Sequence, residues 1–152
     1  MERINPAFMY AMTRPLHITD IPGYFLSHPD NCFWVAEAEM DGQPKVTGMV
    51  GVEGKNDPQS EGKKYGELYR MIVSSTCRRS GIGLRLAKTA EDFCKERCFS
   101  KNRLAVTSPQ KAGMAFYIRL GFKLALVHTQ FESPKWMIWL TRATILVMEK
   151  NI

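Results

Sequence analysis

Arg78-Arg79-Ser80-Gly81-Ile82-Gly83 separates an apolar run, Leu68-Tyr69-Arg70-Met71-Ile72-Val73, from an amphipathic segment that begins at Leu84. The order reads as strand, glycine-punctuated turn, helix. At such a junction the first backbone N–H groups of the helix lack internal partners, and the helix dipole places partial positive charge there. Glycine lets an anion approach the backbone closely, so the turn reads as a cradle for a pyrophosphate. Taken alone, the R-x-x-G-x-G pattern fits an ordinary tight turn equally well.

Further residues narrow the reading. A second strand, Arg103-Leu104-Ala105-Val106-Thr107, is followed by Ser108-Pro109-Gln110 and a helix from Lys111 to Leu120 that ends at Gly121-Phe122. Ala115-Phe116-Tyr117-Ile118-Arg119-Leu120-Gly121-Phe122, taken with the earlier turn, resembles the GNAT superfamily of acetyl-CoA-dependent N-acyltransferases. The resemblance covers Cys32 to Lys123 in order and spacing. It implies that the cradle Arg78, Arg79, Ser80, Gly81, Ile82, Gly83 and Leu84 holds the coenzyme A pyrophosphate. It also implies that the backbone of Met71, Ile72 and Val73 pairs with the pantetheine arm and, near Ile72, polarises the acetyl carbonyl. Ser108 and Gln110 would contact the pantetheine or the adenosine end. Tyr117 would stand beside the sulfur as the acid, and Glu67 takes the place where several members carry a general base.

Phe33-Trp34-Val35-Ala36-Glu37, Val46-Thr47-Gly48-Met49-Val50-Gly51 and Glu67-Leu68-Tyr69-Arg70-Met71 resemble the camello-like branch of that superfamily. That branch includes cysteine S-conjugate N-acetyltransferases and lysine acetyltransferases of the endoplasmic reticulum. Its members usually carry an apolar membrane segment before the catalytic domain. No run in this sequence approaches the ~20 apolar residues that span a bilayer, and no signal-peptide pattern opens it. The expectation from the sequence is therefore a soluble, cytoplasmic chain.

The 152 residues fit one domain, 1–152, of α/β (α+β) class: a mixed, mostly antiparallel twisted sheet flanked by helices. An apolar fraction of 45% rules out a disordered chain. The formal charge of +6 admits polyanionic partners. Its basic residues are dispersed, without the stripe and aromatic readers of nucleic-acid modules, so no nucleic-acid partner is expected. Cys32, Cys77, Cys94 and Cys98 form no C-x-x-C pair and no metal-like spacing with His17, His28 and His128. They read as reduced thiols, with Cys94 and Cys98 on one side of a helix, and no metal is expected.

The coarse element order starts with a short helix in His17 to His28, capped by Thr19 or Asp20 with Pro22 in its first turn. A strand Cys32 to Ala38, a hairpin turn Met40-Asp41-Gly42-Gln43 and a strand Lys45 to Val52 follow. After a polar loop, Gly54 to Gly62, come a strand Tyr65 to Val73 and a helix Leu84 to Phe99, its buried side marked by Leu84, Leu86, Ala87, Ala90, Phe93 and Cys94. Phe122 to Phe131 and Trp136 to Met148 read as a terminal antiparallel pair. Against the family pattern, the opening strand is expected to be lacking.

Acyl transfer to an amine requires a held donor, a deprotonated amine, a stabilised oxyanion and a protonated leaving thiolate. A free alkylammonium titrates near pH 10.4, so forming the amine at pH 7 costs roughly 4.6 kcal/mol. The expected reaction is acetyl transfer from acetyl-CoA to a primary amine, an S-substituted cysteine or a protein lysine, by direct attack in a ternary complex. Without the family, Glu67 reads as a strand-end surface charge and Tyr117 as a packing aromatic. A coenzyme A-binding module without turnover is the alternative.

Overall fold

A computed structural model describes residues 3–5, 20–107, 111–128 and 145–152. The chain runs β1 (Arg3–Asn5), α1 (Ile21–Leu26), β2 (Cys32–Met40), β3 (Gln43–Asn56), β4 (Lys64–Val73), a 3₁₀ turn (Ser75–Cys77), α2 (Ile82–Glu96), β5 (Lys101–Thr107), α3 (Lys111–Arg119), β6 (Lys123–His128) and β7 (Ile145–Asn151). The described strands form one sheet in the order β1-β2-β3-β4-β5-β7-β6. Every neighbouring pair is antiparallel except β4 and β5. This is the mixed, mostly antiparallel sheet expected from the sequence.

Alternation along the strands gives the sheet two apolar faces. Trp34, Ala36, Val50, Val52 and Leu68 point to one face, where Leu86, Ala90 and Cys94 of α2 and Tyr117 of α3 join them. Phe33, Val35 and Met49 point to the other and pack with Phe25 of α1. Asp41 (φ 55) and Gly42 (φ 72) both take the left-handed conformation at the β2–β3 turn, as an Asp-Gly hairpin requires. Asp20 caps α1 by accepting from the Gly23 N–H at 2.8 Å, with Pro22 in the first turn.

Several expectations need correction. The polar loop starts later than Gly54, because β3 continues to Asn56. The chain supplies a three-residue strand, Arg3–Asn5, where the sequence offers none, and Ile4 sits opposite Ala36 of β2. Leu84 is 56% exposed rather than buried. The stripe through Ile82, Leu86, Ala90 and Cys94 repeats every fourth residue, and Leu84 stands about 200° round the helix from Ile82. Cys98 is not on the helix. Its φ is 58, and its N–H bonds to the Lys95 carbonyl while the Phe99 N–H bonds to the Cys94 carbonyl. Those two bonds make a Schellman stop with cysteine where glycine is usual. The sequence places the terminal strands at Phe122 to Phe131 and Trp136 to Met148. Within the described residues they are Lys123–His128 and Ile145–Asn151.

Candidate active site

The site is built where β4 leaves β5. The two strands are parallel neighbours only at Tyr65, Gly66 and Glu67, which lie opposite Lys101, Asn102 and Arg103. From Leu68 onward β4 keeps its partner on the β3 side, and β5 stays paired with β7 through Thr107. The sheet therefore opens into a cleft between Leu68–Val73 and Leu104–Thr107. Along it, β4 carries backbone donors and acceptors without a strand partner. Unpaired main-chain groups in such a place are a template for an extended ligand bearing amides.

A bulge turns the strand inside this cleft. Met49 faces Ile72 and Gly51 faces Tyr69, so Val50 alone opposes both Arg70 and Met71. Arg70 takes φ 52, a conformation that usually demands glycine. The extra residue reverses the alternation. Glu67 and Tyr69 lie on the α1 face before the bulge, while Met71 and Val73 pack toward the α2 core after it. A regular strand would have put all four on one face.

The open end of the cleft meets the start of α2. Gly81 is the N-cap with φ 86 and ψ −2, and it has no side chain to satisfy the helix donors. The first intrahelical bond is Arg85 N–H to the Gly81 carbonyl, at 3.0 Å. The N–H groups of Ile82, Gly83 and Leu84 have no hydrogen-bond partner among the described residues, and the dipole adds about half a positive charge there. Ser80 tightens the turn by donating its hydroxyl to the Cys77 carbonyl. The side chains of Arg78 and Arg79 are exposed beside it. A Cβ on Gly83 would lie 3.4 Å from Phe116 Cζ and 3.6 Å from Val73 Cγ2, so the helix start runs beside both the strand end and α3.

Tyr117 is buried on α3 in the same core as Ile82, Leu104 and Val106, with its ring 5.7 Å from that of Phe122. Its phenol has no hydrogen-bond partner among the described residues, and burial pushes it up to about 12. Glu67 stands at the root of the cleft, on the opposite face of the sheet. One of its oxygens accepts from the Tyr69 hydroxyl at 2.8 Å and is ion-paired with Lys55. From Val73 to Glu67 is roughly 20 Å of strand. Of the residues expected from the sequence, Met71, Ile72, Val73 and the turn Arg78–Leu84 come together at the open end. Ser108 and Gln110 lie outside the described residues. Lys55, Tyr69 and the Arg70 bulge escape the sequence reading. The alternation Glu53-x-Lys55 against Glu67-x-Tyr69 is a signal for the first two only once the β3–β4 register is known.

The chain belongs to the Acetyltransferase (GNAT) family, whose sequence profile matches residues 3–122. It is similar to N-acetyltransferase 8 of Homo sapiens, with 37% identity over 112 residues covering 74% of this chain and 47% of that protein. It is also similar to the protein named "Probable N-acetyltransferase camello" of Xenopus laevis, with 33% identity covering 71% of this chain and 46% of that one. These relatives bear out the camello-like resemblance, and the chain spans about half their length. The crystal structure of the NatC complex bound to Gag peptide and CoA shares the fold. Its TM-score is 0.76 at 15% identity, covering 99% of this chain and 98% of that one. Among the described residues no helix is long and apolar enough to cross a membrane.

The bulge gives a direct test of the backbone argument. A non-glycine residue in the left-handed region costs about 1–2 kcal/mol, and more when it is β-branched. Arg70→Gly is expected to unfold in urea within about 1 kcal/mol of the parent chain, whereas Arg70→Val should lose about 1–2 kcal/mol relative to Arg70→Gly. Equal stability of the two variants would remove the strain from the account.

Proposed function

We propose that the chain is the single catalytic domain of an acetyl-CoA-dependent N-acetyltransferase. It moves an acetyl group to a primary amine by direct attack in a ternary complex. The observation that carries this reading is the meeting of two unsatisfied sets of backbone donors at Gly83. One set is the edge of β4 from Leu68 to Val73, and the other is the uncapped start of α2. A pyrophosphate suits the second, and an amide-bearing arm suits the first.

In this reading Arg78 and Arg79 add charge to the pyrophosphate site, and Ser80 holds the turn in shape. Ile82, Gly83 and Leu84 donate their N–H groups to the phosphates. Met71, Ile72 and Val73 pair with the pantetheine arm, and the backbone near Ile72 polarises the thioester carbonyl. Ser108 and Gln110, which follow β5, serve the far end of the coenzyme. Tyr117 returns a proton to the departing thiolate. Because burial holds its phenol near 12, it stays protonated throughout the neutral range, as an acid must. Glu67 receives the proton that the acceptor ammonium loses. The acceptor is an S-substituted cysteine or a lysine of a protein.

The alternative is a coenzyme A-binding module without turnover. Its support is the ion pair with Lys55, which occupies one oxygen of Glu67. Calorimetric titration with acetyl-CoA tests binding. The parent chain should bind saturably, and Gly83→Glu should bind at least about tenfold more weakly at unchanged helix content, because its carboxylate takes the anion's place. Equal affinity would move the coenzyme elsewhere. Tyr117→Phe should lower kcat by about 100-fold with acetyl-CoA affinity within about twofold. Unchanged kcat would take Tyr117 out of the mechanism.

A further inference from the structure

Packing alone does not call for the cluster of titratable groups on the α1 face of the sheet. Register sets Glu53 of β3 directly across from Glu67 of β4. Two carboxylates so placed have Cβ atoms about 5 Å apart and repel. The Lys55 ammonium lies between them, 3.5 Å from Glu53 Oε2 and in contact with Glu67 Oε2, and it donates to the Tyr69 hydroxyl at 2.6 Å. Tyr69 in turn donates to the same Glu67 oxygen at 2.8 Å. On the α1 side, the Tyr24 hydroxyl donates to Glu53 Oε1 at 2.8 Å. On β5, Arg103 lies beside Glu67 in register but is engaged with Glu149 at 3.4 Å.

The two carboxylates are held differently. Both oxygens of Glu53 have partners. Glu67 is gripped through Oε2 alone, and its Oε1 has no partner among the described residues. The Lys55 side chain is 35% exposed and that of Glu67 20%, so the cluster is sheltered without being sealed. Burial works against the Lys55 charge, but the hydrogen bonds to Glu67 and Tyr69 and the attraction of Glu67 outweigh it, and lysine is held above its usual range. Burial pushes the Tyr69 phenol up as well.

We propose that Lys55 is the positioning residue of this site. It pins Oε2 of Glu67 and offsets the charge of Glu53, so that Oε1 is left open and aimed for the acceptor. The inference rests on reading the chain as an amine acetyltransferase. In the step it serves, the ammonium proton passes to Glu67 Oε1 through a chain of waters along the cleft. The freed amine lone pair then forms the C–N bond, the C–S bond breaks, and the thiolate takes its proton from Tyr117. The proton left on the new amide nitrogen goes to solvent. Lys55 neither gains nor loses a proton.

The experiment uses the full chain with Lys55→Met, Lys55→Gln, Lys55→Arg and Glu67→Gln. An opposite charge at contact distance moves a carboxylate's titration by about 1–3 pH units. Removing it in Lys55→Met or Lys55→Gln should therefore carry the acidic limb of kcat/KM upward by about one pH unit, with an approximately tenfold loss only at pH values below both limbs and little loss at pH 7. Lys55→Arg should restore the parent limb, Glu67→Gln should abolish it, and acetyl-CoA affinity should stay level in all four. A readout without turnover runs alongside. A water-soluble carbodiimide with glycinamide labels only protonated carboxyls, and peptide mass spectrometry should find Glu67 labelled about tenfold more in Lys55→Gln than in the parent at pH 6. Lys55→Gln can still bond Tyr69, so it separates loss of charge from loss of shape. An unmoved limb or unchanged labelling in the folded Lys55→Gln variant overturns the role of Lys55. Failure to bind acetyl-CoA would instead defeat the functional reading, and the labelling still decides the part played by Lys55.

Discussion

The parting of β4 from β5 after three paired residues is the constraint on which the rest of the structure depends. A parallel pair in the middle of a sheet normally continues to the end of both strands, because buried backbone groups without partners cost free energy. Here β5 has β7 on its other side and β4 has β3, so each strand is anchored without the other. The sheet can therefore remain whole while holding an opening in its centre. The cost of the unpaired groups is local, and a ligand that pairs with them offsets it.

Everything around the opening follows from keeping it aimed. The bulge at Arg70 turns Met71 and Val73 toward the α2 core and leaves Glu67 and Tyr69 on the α1 face. One strand thus serves two sides: one where backbone and helix start are exposed, and one where carboxylates and phenols gather. Gly83 lets the helix start lie beside both the strand end at Val73 and Phe116. Tyr117, one residue beyond Phe116, is buried in the core on the α2 face. The Ile82, Leu86, Ala90 and Cys94 stripe packs α2 against the sheet, with Ile82 and Leu86 each contributing about 1.5–3 kcal/mol.

Legibility in the sequence divides along the same line. Local features were readable: the glycine turn, the Asp41-Gly42 hairpin, the α1 cap narrowed to Thr19 or Asp20, and the α2 stripe apart from its first turn, where Ile82 and not Leu84 is buried. So was the family, through the turn and the Phe116-Tyr117 segment together. Features made by pairing were not. The cleft depends on where β4 stops meeting β5, and no residue near Leu68 announces that. The bulge sits on arginine, not glycine, and Cys98 likewise takes a left-handed stop, so neither carries its usual mark. Lys55 belongs to Glu67 only through the β3–β4 register, twelve positions away in the chain.

The central claim is that the open edge of β4 and the start of α2 receive one ligand together. Hydrogen exchange read by mass spectrometry, with and without acetyl-CoA, tests it most directly. The account predicts slower exchange on binding in both 68–73 and 81–85, with the α2 core unchanged because it is already packed. Protection of only one of the two segments, or of neither at a saturating concentration of acetyl-CoA, would contradict it.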